Sequence, residues 1–169
     1  ISSKEDLKNF YKITKKEYPE GSKNILIMGY QTWISIPEDK KPFQKRMNLI
    51  LTQNHKDKIE ESENVKSFSS LFNAFDWCKV NQTGRIFIIG GSKIFTECIL
   101  HHREELNIIY LTRYINDYRC GNKNVSLFPF QALSDTEIIQ RESFESINCN
   151  VYSEITDSII ESMPMHFII

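Results

Sequence analysis

Three apolar runs that do not alternate with polar residues set the strongest constraint on how this chain folds. Ile25-Leu26-Ile27-Met28 stops at Gly29, Leu49-Ile50-Leu51 stops at Thr52, and Ile86-Phe87-Ile88-Ile89 stops at Gly90-Gly91. A run of this kind reads as a strand covered on both faces, which is the habit of parallel sheets. Helical patterns lie between the runs. Lys4–Lys15 places Leu7, Phe10 and Tyr11 on one face, Ser69 or Ser70 caps a helix carrying Leu71, Phe72, Phe75 and Cys78, and a third helix opens at Ser92. Parallel neighbours need such crossovers. Residues 107–112 read as a fourth buried strand. After Arg113 the pattern changes: residues 136–143, 148–155 and 165–169 read as strands with hairpin-like links. The expected fold class is α/β, with an open, mostly parallel central sheet, flanking helices and an antiparallel C-terminal edge. All 169 residues fit one domain.

Ligands of open α/β sheets bind at the carboxyl ends of the strands. Here those ends are Gly29, Thr52, Gly90 and Thr112. The formal net charge is −1, so no overall field favours nucleic acid or an anionic membrane. An anionic ligand must be met by local groups. No apolar run approaches the roughly 18 residues a membrane span needs. Cys78, Cys98, Cys120 and Cys149 stand far apart, without a paired spacing. They read as reduced thiols of a cytoplasmic protein, and no metal site is expected.

Two segments repeat one geometry. Gly90-Gly91-Ser92 and Gly29-Tyr30-Gln31-Thr32 each lead from a buried strand into a helix. Glycine lets a backbone approach a ligand closely, and a helix start offers free N–H groups to a phosphate. Either segment taken alone also reads as a plain strand-to-helix turn. Asp6, with Ser3, has the spacing of a helix cap.

In register along the chain, these segments match one family. Ile27-Met28-Gly29, Thr32-Trp33, Ser35-Ile36-Pro37, Pro42, Arg46, Asn48 and Leu51 resemble one stretch of dihydrofolate reductase. Phe87-Ile88-Ile89-Gly90-Gly91-Ser92 with Phe95 resembles another. Leu111-Thr112-Arg113, Leu127-Phe128-Pro129 and the acidic helix with Glu5-Asp6-Leu7-Lys8, Phe10 and Thr14 complete the match.

The resemblance implies reduction of 7,8-dihydrofolate to tetrahydrofolate by hydride transfer from NADPH, which supplies one-carbon metabolism and thymidylate synthesis. Asp6 and Thr112 would form the catalytic pair. A carboxylate matches the two-donor edge of a pterin, burial beside Leu7 and Phe10 would raise its pKa, and Thr112 would fix its rotamer. Leu7, Phe10, Ser35, Ile36, Pro37, Phe43 and Ile89 would line the pterin and benzoyl slot. Arg46 would hold the carboxylate of the substrate's glutamate tail. Gly29, Thr32, Leu51, Thr52, Lys66, Gly90, Gly91, Ser92, Lys93, Ile94 and Phe95 would hold the cofactor, with Thr52 and Lys66 toward its 2′-phosphate. Tyr30, Gln31 and Gln53 stand where many members have basic residues, so weaker discrimination against NADH is expected. Phe95 replaces a usual tyrosine, and Val125 a usual aspartate. In some relatives of this family the domain is fused to thymidylate synthase, which makes that enzyme a candidate partner.

One part of the family pattern has no counterpart at the front of this chain. The family begins with the central strand of its sheet and a mobile loop, then the acidic helix, whereas Ile1 falls just before that helix. On this ground about 20–25 further upstream residues are expected, and the strands flanking the slot are expected to lack ladder partners, leaving residues 1–169 poorly folded and inactive. Two other readings compete. One is a degenerate reductase domain kept as a scaffold or interaction module. The other is a related pterin or pyrimidine reductase, which would not need the Asp6–Thr112 pair with Arg46.

Overall fold

The computed structural model describes residues 4–17, 19–81, 84–114, 137–144, 147–153 and 165–168. Its elements, in chain order, are α1 (Lys4–Lys15), β1 (Asn24–Gly29), α2 (Tyr30–Ser35), β2 (Arg46–Leu51), β3 (Val65–Phe68), α3 (Leu71–Asn81), β4 (Ile86–Ile88), α4 (Ser92–His101), β5 (Leu106–Tyr114), β6 (Glu137–Phe144), β7 (Ile147–Ser153) and β8 (Met165–Ile168). Eight strands form one sheet in the order β3-β2-β1-β4-β8-β5-β7-β6. Pairing is parallel from β3 across to β5. It is antiparallel at β5–β7 and β7–β6.

β1 shows why the apolar runs are continuous. Ile25 and Ile27 face one core cluster, with Leu71, Ala74, Phe75 and Cys78 of α3 and Ile94, Phe95, Cys98 and Ile99 of α4. Leu26 and Met28 face the other, against which Phe10, Tyr11 and Ile13 of α1 and Tyr30 and Trp33 of α2 pack. A strand alternates its side chains between faces, so cover on both faces removes the polar positions.

Three sequence expectations change here. Residues 65–68, which are not among the strands read from the sequence, form β3, a short strand in register with β2 from Asn48↔Val65 to Leu51↔Phe68. β8 was expected at the antiparallel edge. It lies instead near the middle of the sheet, parallel to β4 on one side and to β5 on the other. The slot between β4 and β5, expected to leave both without a ladder partner, is therefore filled. Ser3, Val125 and 127–129 lie outside the described residues, so the capping box and the last family landmark do too.

Two buried asparagines position the site-bearing segments. Asn24 donates from Nδ2 to the carbonyls of Thr14 and Lys16, both at 2.9 Å, and its Oδ1 accepts from Arg85 N–H at 2.9 Å. It ties the end of α1 to β1 and to the start of β4. Asn48 accepts from Phe43 N–H at 3.1 Å and donates to the carbonyls of Phe43, Arg46 and Asn64. It folds the loop that carries Phe43 back onto β2. Such buried amides are costly unless satisfied, and these two are well supplied with partners.

Candidate active site

α1 packs on one face of the sheet, with its end bonded to Asn24 at the start of β1 and its first turn bringing Asp6 to Thr112 of β5. The Thr112 hydroxyl donates to Asp6 Oδ1 at 2.6 Å. Both residues are half-buried, while the Leu7 side chain is 49% exposed. A large apolar side chain left open beside a carboxylate offers a ready surface to a flat ring. Phe10 continues that wall: its ring lies 5.6 Å from Tyr11 and 5.3 Å from Phe43. Ile36 and Ile89 pack partly buried against the same cluster as Phe43. Ser35 and Pro37 are exposed, and the Ser35 hydroxyl donates to its own helix, at Thr32 O.

Arg46 is 2% exposed. Nη1 donates to Thr14 Oγ1 at 2.7 Å and Nε to Gln44 O at 3.1 Å. The guanidinium lies over the rings of Tyr11 and Phe43, at 5.1 and 5.0 Å. Burial pulls its pKa below the ordinary arginine range, although an arginine so shifted stays charged at neutral pH. Of the five N–H donors of a guanidinium, those two bonds leave three for a further acceptor. Arg46 and Phe43 line a cavity of about 240 Å³ with Tyr11, Lys15 and the loop from Asp39 to Lys45.

A second cleft, of about 560 Å³, opens at the carboxyl ends of β1 and β2 and the starts of α2, α3 and α4. Gly29, Thr32, Leu51, Thr52, Gly91, Ser92, Lys93 and Ile94 line it. Its two glycine turns touch: Gly29 N–H donates to Gly90 O at 2.8 Å. A Cβ on Gly29 would stand 3.1 Å from Ile94 Cδ1, and one on Gly90 3.4 Å from Thr32 Oγ1. Gly90 has φ +121°, and the peptide bond to Gly91 is cis. Phe95 lies behind this turn, 7% exposed, with its ring against Gly90.

The cleft differs from expectation at one wall. Lys66 does not line it, and its ammonium sits 6.0 Å from the Trp77 ring centroid. His55 lines it instead, stacked on Tyr30 at 4.5 Å. His55 Nδ1 is buried with no hydrogen-bond partner. Ser69 and Ser70 also line it, and Ser70 caps α3 through a bond from Asn73 N–H at 3.2 Å. In the sequence those serines read as a cap, and His55 sat in a polar loop with no partner in the pattern. Among the described residues, no group of three or more His, Cys, Asp or Glu is placed to hold a metal ion, and no helix is long and apolar enough to cross a membrane.

A sequence profile of the family described as Dihydrofolate reductase matches residues 2–156. The chain belongs to the dihydrofolate reductase family. The dihydrofolate reductase of Aedes albopictus is 29% identical over 142 residues, 82% of this chain and 73% of that protein. The bifunctional dihydrofolate reductase-thymidylate synthase of Plasmodium chabaudi is 31% identical over 160 residues, 90% of this chain and 27% of that protein. The chain thus spans about a quarter of the length of the bifunctional relatives it matches. Schistosoma mansoni dihydrofolate reductase shares the fold, with a TM-score of 0.67 at 23% identity over 89% of this chain and 84% of that one. The dihydrofolate reductase α/β fold, with its mostly parallel sheet, is that expected from the sequence.

Proposed function

We propose that this chain reduces 7,8-dihydrofolate to tetrahydrofolate with NADPH. The observation that carries the reading is the Asp6–Thr112 hydrogen bond, held between an open apolar wall and a glycine-lined cleft. When bound, the dihydronicotinamide supplies a hydride. The chain's residues orient and polarise the pterin.

Asp6 accepts two hydrogen bonds from the amidine-like edge of the pterin and favours protonation of its ring nitrogen. Thr112 donates to the carboxylate and holds its rotamer, so it acts as a positioning residue. Leu7 and Phe10 cover the ring, and Phe43 the benzoyl group. The three remaining Arg46 donors take a tail carboxylate.

The cleft suits a dinucleotide. Glycine at 29 and 90 lets the two turns pack closely, since a Cβ there would press on Ile94 or Thr32, and that brings their backbones together at the cleft. The starts of α3 and α4, with Ser70 and Ser92, offer N–H and hydroxyl donors to phosphates. Thr52 and the His55 ring, both in the cleft wall, take the 2′-phosphate contacts in place of Lys66, which does not line it. The buried free thiols Cys78 and Cys98 support a reducing, cytoplasmic setting. The bifunctional relatives support work beside, or fused to, a thymidylate synthase.

The test is turnover of dihydrofolate by the chain, followed by loss of reduced-nicotinamide absorbance, with Asp6→Asn as the control. Absence of turnover while NADPH still quenches tryptophan fluorescence would move the reading to a binding scaffold.

A further inference from the structure

The family profile ends at residue 156, yet a segment beyond it lies near the middle of the sheet. Met165, His166 and Phe167 pair with Ile86, Phe87 and Ile88 of β4. Met165, His166, Phe167 and Ile168 pair with Leu106, Ile108, Ile109 and Tyr110 of β5. Both ladders are parallel. In a parallel ladder, alternate residues of the middle strand bond to alternate neighbours, so every backbone group of such a strand is used.

The neighbours of β8 are the two strands that carry the chemistry. Phe167 pairs with Ile88, two residues before Gly90, and Ile168 pairs with Tyr110, two residues before Thr112. The glycine turn of the cleft and the hydroxyl that holds Asp6 therefore project from strands that the sheet joins through β8. Removing it would leave both ladders open, each unpaired buried group costing about 1–3 kcal/mol.

We propose that Met165–Ile168 is the positioning strand of the active site. It lies between β4 and β5, parallel to both. It sets the distance between the Gly90–Gly91 turn and Thr112, and so between cofactor and pterin. The positioning role rests on the site reading above; the strand placement does not.

Amide hydrogen exchange of the full chain, followed by nuclear magnetic resonance, tests it without a variant. A middle strand predicts that the consecutive amides of His166, Phe167 and Ile168 all exchange at least about a hundredfold more slowly than in a free peptide. Those of Ile88 and Ile109 should be slow as well. Free-tail exchange at 166–168, slow exchange at alternate residues only, or protection that disappears on dilution overturns the placement in this chain. The last result would mean that a second copy supplies the strand.

Phe167→Pro, which removes one ladder N–H, tests the positioning role. Protection at 86–88 and 108–110 should fall by at least about tenfold, and turnover should fall with it, while Phe167→Leu keeps both. Unchanged turnover in the proline variant overturns the role. Slow amides at 166–168 without any turnover support the strand placement and count against the reductase reading instead.

Discussion

Thr112 and Asp6 stand 106 positions apart in the chain and 2.6 Å apart in the fold, the threonine hydroxyl donating to the carboxylate. A hydrogen bond to a charged group contributes about 1.5–3 kcal/mol. Thr112→Val is therefore expected to lower kcat/KM for dihydrofolate by about ten- to a hundredfold. Thr112→Ser should restore most of it. A pH–rate profile that moves in the valine variant separates positioning of Asp6 from mere loss of packing.

Arg46 presents its unused donors beside Phe43, within the smaller cavity. Arg46→Lys keeps the charge but gives up the planar two-point match. KM for dihydrofolate should rise about tenfold or more, given the worth of a charge-assisted pair. KM for a pterin without the glutamate tail should stay nearly the same. Equal effects on both substrates would remove the tail assignment.

His55 is the one side chain of the cofactor cleft with a buried, unpartnered nitrogen among the described residues. His55→Ala is expected to raise KM for NADPH several-fold while leaving KM for NADH nearly unchanged. Lys66→Ala, which loses the half-buried contact with Trp77 outside the cleft, should change neither KM by more than about twofold. Steady-state assays with both cofactors decide between the two residues.

Burial pushes the Cys78 thiol up to about 12. It raises the Cys98 thiol as well, with smaller contributions from Glu97 and Glu105. In the unfolded chain a thiol loses its proton near 8.5. Because the folded values are the higher ones, the stability linked to these groups is fully present below about 8.5 and falls as pH climbs toward 12. Urea unfolding at neutral pH, 9 and 10 should show this decline, and Cys78→Ala should flatten it. The same burial predicts that both thiols resist alkylation until the chain unfolds.

β1, β2 and β4 are legible in the sequence because cover on both faces leaves each with a continuous apolar run, at 25–28, 49–51 and 86–88. β3 is not, since Val65-Lys66-Ser67-Phe68 is short, alternates and follows a charged loop. β8 reads as a strand, but four residues carry no information about partner or direction, which the ladder decides. The glycine turns, Asp6, Arg46 and Thr112 could be found because a family pattern spaces them. Lys66 stays out of the cleft and His55 enters its wall because pleat direction and loop path, rather than charge, decide which side chain reaches it. The side-chain amides of Asn24 and Asn48 would not have stood out at all, since their role depends on backbone groups brought in from other elements.

The position of β8 also orders assembly in time. A ribosome releases chains from the amino end, at about 5–20 residues per second. The half-sheets β3-β2-β1-β4 and β5-β7-β6 are thus both synthesised before the strand that joins them. Until Ile168 emerges, β8 covers the inner edge of neither β4 nor β5. A chain stalled short of Met165 therefore lacks the ladder by which β8 ties the Gly90–Gly91 half of the sheet to the Thr112 half.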